Sequence, residues 1–364
     1  MRSSLRRLVQ GIALATATGL LVLGLLETAL PLMVPVTDKV EYQHLPGVGL
    51  HLKPNQKGLY IREGIRGQFS INNAGFNNSN QYEIGPNRQY NRIAVVGDSF
   101  VEAFQVRVEE TFFSILENRL RDLKIQSEVY SFGVSGFGTS QVYHLIREYV
   151  LLYEPDLIIY LFIPNDVTDS ASCAGDKRWT QQYRIGRSGK LIAVPFDEYR
   201  LSSSKKLLQQ SSLFRYFFYQ RRLMEQIETR KQRSSRMVQA EPSSAEDPCN
   251  TEGWQIVEQV LNELDILLTQ SGVPWLLVWQ GDSEPEFYAQ ERQRLSKIAD
   301  RLGLIFYDPS PAFAEDSREY SGPYRIPGDG HWNQRGHEVV GEALANLIAT
   351  SALIEVDHLG EPDP

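Results

Sequence analysis

The stretch Ile93-Ala94-Val95-Val96-Gly97-Asp98-Ser99-Phe100 limits the folds open to this chain more than any other. Its first residues are apolar and mostly β-branched, which suits a strand buried on both faces. The strand runs into a tight Gly-Asp-Ser turn. Beyond it, Val101, Phe104, Phe112, Phe113, Leu116 and Leu120 fall mostly at spacings of three and four, a helical pattern. Strand, turn and helix make a parallel α/β unit, and open sheets of that kind bind ligands at the carboxyl ends of their strands. Ser99 stands at such an end. On this stretch alone a helix cap is its plainer role, because Ser and Asp favour that position.

The alternation continues down the chain. Residues 128–133 read as a second strand, followed by the glycine-rich loop Gly133-Val134-Ser135-Gly136-Phe137-Gly138-Thr139 and a helix over 140–153. Residues 156–163 form a near-continuous apolar run ending in Pro164-Asn165-Asp166. The pattern lapses between 170 and 250. There, 183–186 and 190–194 flank Arg187-Ser188-Gly189, a hairpin signal. Residues 202–236 read as a long helix carrying Leu213, Phe214, Tyr216, Phe217 and Phe218, with Arg215, Arg221, Arg222, Arg230, Lys231, Arg233 and Arg236. A basic amphipathic helix can rest on a membrane surface; the plainer expectation packs its apolar side on the domain. Residues 237–250 read as a loop. A helix over 251–270, a strand over 274–279, a helix over 284–302, a strand over 304–307 and a closing helix over 334–351 restore the alternation.

At the other end, Arg2, Arg6 and Arg7 precede an uncharged run from Leu8 to Leu26. That run is about long enough to cross a bilayer core, and no small-x-small cleavage site stands out around residues 27–31. The expectation is an uncleaved anchor, with a cleaved signal as the alternative; as an anchor it leaves 1–7 cytoplasmic, 8–26 in the membrane and the rest outside. Residues 27–90, rich in Pro, Gly and Asn, contain short apolar pieces at 48–52, 58–61 and 68–72. They read as a β-rich lead-in, with a flexible stalk as the alternative. The main domain is expected over 91–351, with an insertion at 170–250 and a polar tail at 352–364.

A net charge of −8 argues against nucleic acid as a partner, which would call for a positive surface. Cys173 and Cys249 are too few for a disulfide scaffold. Either they form one bridge in an oxidising compartment or they are separate thiols. No Cys and His spacing resembles a zinc site, and no organic cofactor is implied. The glycine order G-x-x-G-x-G differs from the dinucleotide fingerprint.

Four loops remain, carrying Ser99, Gly136, Asn165, and Asp329 with His331. In a doubly wound sheet such loops crowd one edge. Their residue types meet the needs of acyl transfer. A serine hydroxyl needs a base, histidine is the usual one, and a carboxylate orients the histidine. Backbone N–H groups at Ser99 and Gly136, with the Asn165 amide, supply donors for an oxyanion. His337 is a rival base, but it falls inside the closing helix and is expected to be an ordinary helix residue.

These four blocks resemble those of the SGNH, or GDSL-like, hydrolases. Gly97-Asp98-Ser99 matches the first block, Gly133-Val134-Ser135-Gly136 the second, Pro164-Asn165-Asp166 the third and Asp329-Gly330-His331 the last. The resemblance implies a three-layer, flavodoxin-like α/β domain with a parallel central sheet. It implies Ser99 as nucleophile, His331 as base, Asp329 as orienter, and Ser99, Gly136 and Asn165 as the oxyanion hole. Two positions depart from the pattern. Ile163 replaces a common glycine, and one residue rather than two separates Asp329 from His331. That spacing, followed by Trp332-Asn333, is also similar to SGNH-like domains of polysaccharide O-acetylation proteins. The expected function is a serine esterase on the extracytoplasmic side of a membrane, cleaving an O-acyl ester of a carbohydrate or lipid. The rivals are a glycan O-acyltransferase using the same residues and a non-catalytic glycan-binding or scaffold protein of an envelope complex.

Overall fold

The structure, a computed structural model, describes residues 2–62, 64–85, 89–174, 178–222, 248–281 and 288–354. Arg230, Lys231, Arg233 and Arg236, residues 237–247 of the expected loop, residues 284–287 of an expected helix and 355–364 of the tail lie outside them. The chain forms two compact units. The larger comprises Val40–Lys57, Gly67–Arg200 and Ser243–Pro364, and the smaller Met1–Lys39, Gly58–Arg66 and Leu201–Pro242.

Strands and helices are numbered in chain order, counting β3 (Gln56–Arg62), β4 (Ile65–Ile71) and α10 (Ser310–Asp316). In the larger unit, β1 (Tyr42–Leu45) and β2 (Gly49–Leu52) pair antiparallel. The central sheet is built from β5 (Asn91–Gly97), β6 (Ser127–Gly133), β7 (Leu157–Phe162), β10 (Trp275–Trp279) and β11 (Phe306–Tyr307). These five are parallel, in the order β11-β10-β7-β5-β6. Their side chains alternate between two cores, as the two-residue period of a strand requires. Ala94, Val96, Ile158, Tyr160, Phe162, Leu277 and Trp279 face one core. Ile93, Val95, Leu157, Ile159, Leu161, Leu276 and Val278 face the other. Near-continuous apolar runs are what a sheet covered on both faces demands.

The helical pattern beyond Ser99 is broken. A one-turn helix α2 (Ser99–Glu102) stops at Ala103, which is left-handed at φ 52°. A 3₁₀ turn (Val108–Glu110) then leads into α3 (Phe112–Asp122). On the same face, α3 packs with the closing helix α11 (Gln334–Thr350) around Phe112, Leu116, Val340 and Leu344. The opposite face carries α4 (Thr139–Glu148), α8 (Pro248–Ser271) and α9 (Ala289–Leu302).

Most of the expected lead-in belongs to the larger unit. Val48, Ala74, Phe76 and Tyr82 enter the core beneath the sheet, and Tyr82 stacks on Tyr130 at 3.9 Å between ring centroids. Strand β6 is at the sheet edge, where unpaired backbone groups need covering. Asn78 Nδ2 donates to the Val129 carbonyl at 3.0 Å and Ser131 Oγ to the Asn77 carbonyl at 2.7 Å, tying this segment to β6. The hairpin is present as β8 (Gln182–Ile185) and β9 (Leu191–Val194). Cys173 and Cys249 form a disulfide, Cα to Cα 5.6 Å, that closes the insertion at its base.

Of the long helix expected over 202–236, the described residues 202–222 do not form one continuous helix. Its described part is α6 (Ser203–Leu208), the short turn α7 (Ser212–Phe214) and a π-helical turn at Arg215–Gln220. The N-terminal helix α1 (Arg2–Met33) is long and apolar enough to cross a membrane.

Gly133, which ends β6, fits only without a side chain: a Cβ there would lie 2.1 Å from the Glu102 nitrogen and 2.4 Å from the Val101 carbonyl carbon. Gly133→Ala should therefore cost about 1–3 kcal/mol by overpacking. Equilibrium urea unfolding measures it, and an unchanged midpoint would contradict this packing.

Candidate active site

Asp98 is the residue that decides what Ser99 can do. The cap role belongs to Asp98, whose Oδ1 accepts the Phe100 N–H at 2.9 Å. Ser99 is the first residue of α2 and its hydroxyl is free to face outward. Its Oγ lies 2.8 Å from His331 Nε2 and 3.2 Å from Asp98 Oδ2. His331 Nδ1 is hydrogen-bonded to Asp329 Oδ1. With the Nδ1 proton directed at that carboxylate, Nε2 is left as the acceptor for the serine O–H, an assignment made from the network. The Asp329 side chain is 10% exposed and that of His331 22%, so the carboxylate is shielded while the imidazole reaches open space.

The short Asp329-Gly330-His331 spacing works because the loop folds tightly on itself. Ile326 N–H donates to the His331 carbonyl at 2.8 Å, and the N–H groups of Asp329 and Gly330 donate to the Ile326 carbonyl at 3.1 and 3.2 Å. Gly330 takes φ 92°, a conformation that favours glycine. Arg325 Nη1 donates to the Gly330 carbonyl at 2.6 Å. Next to the histidine, Trp332 is buried, edge-on to Phe100 at 5.0 Å between centroids. Asn333 Oδ1 caps α11 by accepting the Gly336 N–H at 3.0 Å.

Asn165 opens the short helix α5 (Asn165–Ser170) after β7. Its Nδ2 donates to Asp169 Oδ2 at 3.0 Å and to Asp98 Oδ2 at 3.3 Å. The loop holds its shape with Ile163 in place of glycine because Asp166 Oδ2 accepts both the Tyr160 O–H at 2.8 Å and the Ile163 N–H at 3.2 Å. Burial, then the charge of Asp98, holds the Asp166 carboxyl well above the usual carboxylate range. Burial also raises Asp98, opposed by the Phe100 N–H, the Asn165 amide, the charge of His331 and the Ser99 hydroxyl.

Gly136 stands on the exposed loop after β6 at φ 77°. That loop is braced from the serine's own helix: Glu102 Oε2 accepts the Ser135 N–H at 2.9 Å and also the Ser135 hydroxyl. Ser99, Asn165, Asp329 and His331 line one cleft of about 640 Å³, and Gly136 is not among its lining residues. The size is within the usual range for small-molecule sites.

Sequence reasoning missed Gln280, Tyr288 and Arg325, which also line the cleft, and the brace Glu102. Gln280 follows β10, so the strand-end rule that found Ser99 and Asn165 would have found it too. It is 1% exposed, and its Nε2 has no hydrogen-bond partner among the described residues. His337 is buried in α11, and its Nδ1 accepts the Phe112 N–H at 3.3 Å. It takes no part in the cleft.

No family model matches the chain, and no curated protein matches it. Solved structures do. An α/β hydrolase from the metagenome of Lake Arreo, Spain, is 16% identical, with TM-score 0.39, covering 73% of this chain and 97% of that one. A lipolytic protein of the G-D-S-L family from Veillonella parvula is 10% identical, with TM-score 0.40, covering 71% and 99%. An acetylxylan esterase from Geobacillus stearothermophilus is 14% identical, with TM-score 0.40, covering 75% and 98%.

Burial pushes His337 down to about 3, followed by the effect of the His331 charge, and burial pushes His51 down to about 4. A base with a depressed folded-state value binds fewer protons folded than unfolded, so its stabilising contribution is present above the unfolded value and lost as pH falls. The loss is about 2 kcal/mol per histidine on going from about pH 7 to about pH 5. His337→Gln should therefore gain about 2 kcal/mol relative to the parent over that interval. Urea unfolding of both proteins at the two pH values measures the difference, and a pH-independent gap would contradict it.

Proposed function

We propose that the protein is an SGNH-type serine esterase, held by its N-terminal helix on the extracytoplasmic side of a membrane. The observation that carries this reading is the hydrogen-bonded chain from Ser99 Oγ through His331 to Asp329 at the wall of one cleft. A helix-capping serine would not require it.

The chemistry follows from these positions. Ser99 Oγ attacks the ester carbonyl carbon as its proton passes to His331 Nε2. Asp329 holds the imidazole in register and stabilises the imidazolium. The carbonyl oxygen becomes an oxyanion, met by the Ser99 N–H group and by Asn165 Nδ2. The Asn165 bond to Asp98, at 3.3 Å, is longer than an ordinary N–H···O bond and is the one exchanged for the oxyanion. His331 then gives its proton to the departing alcohol oxygen, leaving an acyl ester on Ser99. Water attacks that ester, its proton going to His331 and then back to Ser99 Oγ as the acid leaves.

The polar side chains of Gln280, Tyr288 and Arg325 in the cleft lining support an alcohol portion rich in oxygens, as in an acylated carbohydrate. The disulfide supports an oxidising compartment, where such bonds persist. With α1 in the membrane, that compartment is extracytoplasmic.

A fluorophosphonate probe tests the reading on the full chain. Labelling is expected for the parent and lost in Ser99→Ala and His331→Ala; a folded parent that stays unlabelled, or Ser99→Ala that still labels, would sink it. On an aryl acetate, Asn165→Ala should lower kcat by about 10²–10³, and an unchanged kcat would remove Asn165 from the oxyanion hole.

A further inference from the structure

The smaller unit carries a pattern that the esterase reading does not use. Its helix α1 has a membrane-length stretch, Leu5–Met33, whose apolar window is unburied. Glu27 is the single charged residue between Arg7 and Asp38. Its carboxylate accepts hydrogen bonds from Ser211 Oγ at 2.7 Å, from the Leu213 N–H at 3.2 Å and from the Ser212 N–H. A second tie lies just past α1: the Thr37 N–H donates to Gln220 Oε1 at 3.0 Å, and Arg215 Nε donates to the Thr37 carbonyl at 3.0 Å. Residues 211–220 are thus fixed against the end of α1 at two levels.

Those levels have a depth. The uncharged run Leu8–Leu26 is about 28 Å long as a helix, close to the hydrocarbon thickness, and the whole of Leu5–Met33 is about 43 Å, close to the bilayer with its headgroups. Glu27 therefore marks the outer edge of the hydrocarbon, and Ser211–Leu213 lies at the same height. Around this height the chain exposes large apolar side chains. Leu207 is 74% exposed and Leu208 46%, on α6; Phe217, Phe218 and Tyr219 are 45%, 40% and 42% exposed, on the π-helical turn. Lys205, Lys206 and Arg221 are exposed among them. Aromatic rings, aliphatic side chains and cations side by side are the composition of a membrane interface.

We propose that residues 203–221 form a collar embedded in the outer headgroup layer of the bilayer that α1 crosses. Leu207, Leu208, Phe217, Phe218 and Tyr219 enter the acyl boundary, and Lys205, Lys206 and Arg221 meet lipid phosphates. The occupant of this surface is lipid, because the surface is tied to a helix that is itself unburied and apolar over a membrane length. The proposal rests on α1 remaining in place as an anchor. It also gives retention a structural reason, since removing α1 would strip the donors at 211–213 of their acceptor.

The test uses the full chain in phosphatidylethanolamine–phosphatidylglycerol vesicles, spin-labelled in turn at Leu20→Cys, Leu208→Cys and Phe217→Cys, with the native disulfide kept. Relaxation by oxygen and by a water-soluble nickel complex reads the depth of each label. All three labels are expected to be shielded from nickel and reached by oxygen, with those at 208 and 217 shallower than that at 20. A shielded label at 20 with nickel-accessible labels at 208 and 217 would overturn the collar and leave the anchor intact. A nickel-accessible label at 20 would overturn the anchor, and the collar with it.

Discussion

The carboxylate of Asp98 is the constraint on which the candidate site depends. It is buried at the end of a strand buried on both faces, where an unsatisfied charge would be costly. The first turn of α2 offers it a backbone donor, Phe100 N–H, and the next loop offers it the Asn165 amide. Capping by Asp98 sets the direction in which α2 leaves the strand, and this direction turns the Ser99 hydroxyl toward His331. An alanine at 98 would leave the helix start uncapped and Asn165 without one of its acceptors. The capping residue thus holds the Ser99 hydroxyl and the Asn165 amide in a common frame.

Close approach of backbones does the rest. Gly133 lets β6 and α2 touch, and Glu102, one turn beyond Ser99, reaches across to bind Ser135. The Gly136 loop is therefore referenced to the serine's own helix and not merely to the sheet. On the other side, Trp332 is buried between Phe100 and Phe112, so the residue next to His331 is anchored in the same core as the start of α3. Each group of the constellation is held by a neighbour one or two residues away that packs inward, an arrangement suited to fixing distances on the scale of a hydrogen bond.

How much of this was legible in the sequence differs from element to element. The strands of the sheet could be read because their apolar runs are required by burial on both faces, and the blocks around Ser99, Asn165 and His331 because strand ends are where an open sheet collects loops. Gln280 obeyed the same rule and was passed over, since a lone glutamine after an apolar run has no motif around it. Pairing of Cys173 with Cys249 could not be read, because the distance between two cysteines depends on how the intervening insertion folds. The segment at 27–90 looked like a lead-in because it is rich in turn residues. Its Phe76 and Tyr82 are nevertheless core residues, and its asparagines satisfy the edge of β6. Polar side chains that satisfy another segment's backbone leave no periodic trace.

The break in the helix expected from 202 onward, seen over 202–222, has a physical cause of its own. An amphipathic helix packed on a soluble domain keeps its apolar residues to one stripe. Here Leu213, Phe214, Tyr216, Phe217 and Phe218 are almost consecutive, so a regular helix would spread them over about 200° of its circumference, wider than one stripe. Over its described residues the chain instead breaks into short helices joined at Gln209–Ser211, followed by the π-helical turn Arg215–Gln220, where Phe214 and Phe218 stack at 4.5 Å between centroids. Phe217, Phe218 and Tyr219 still remain largely outside any core. Apolar residues spread around a short helix are unfavourable in water and favourable in a medium that is apolar on more than one side. The same argument applies to α1, which is apolar all round and unburied. Two segments that violate the rules for soluble helices in the same way are hydrogen-bonded to each other through Glu27, and a single medium, lipid, removes the violation for both.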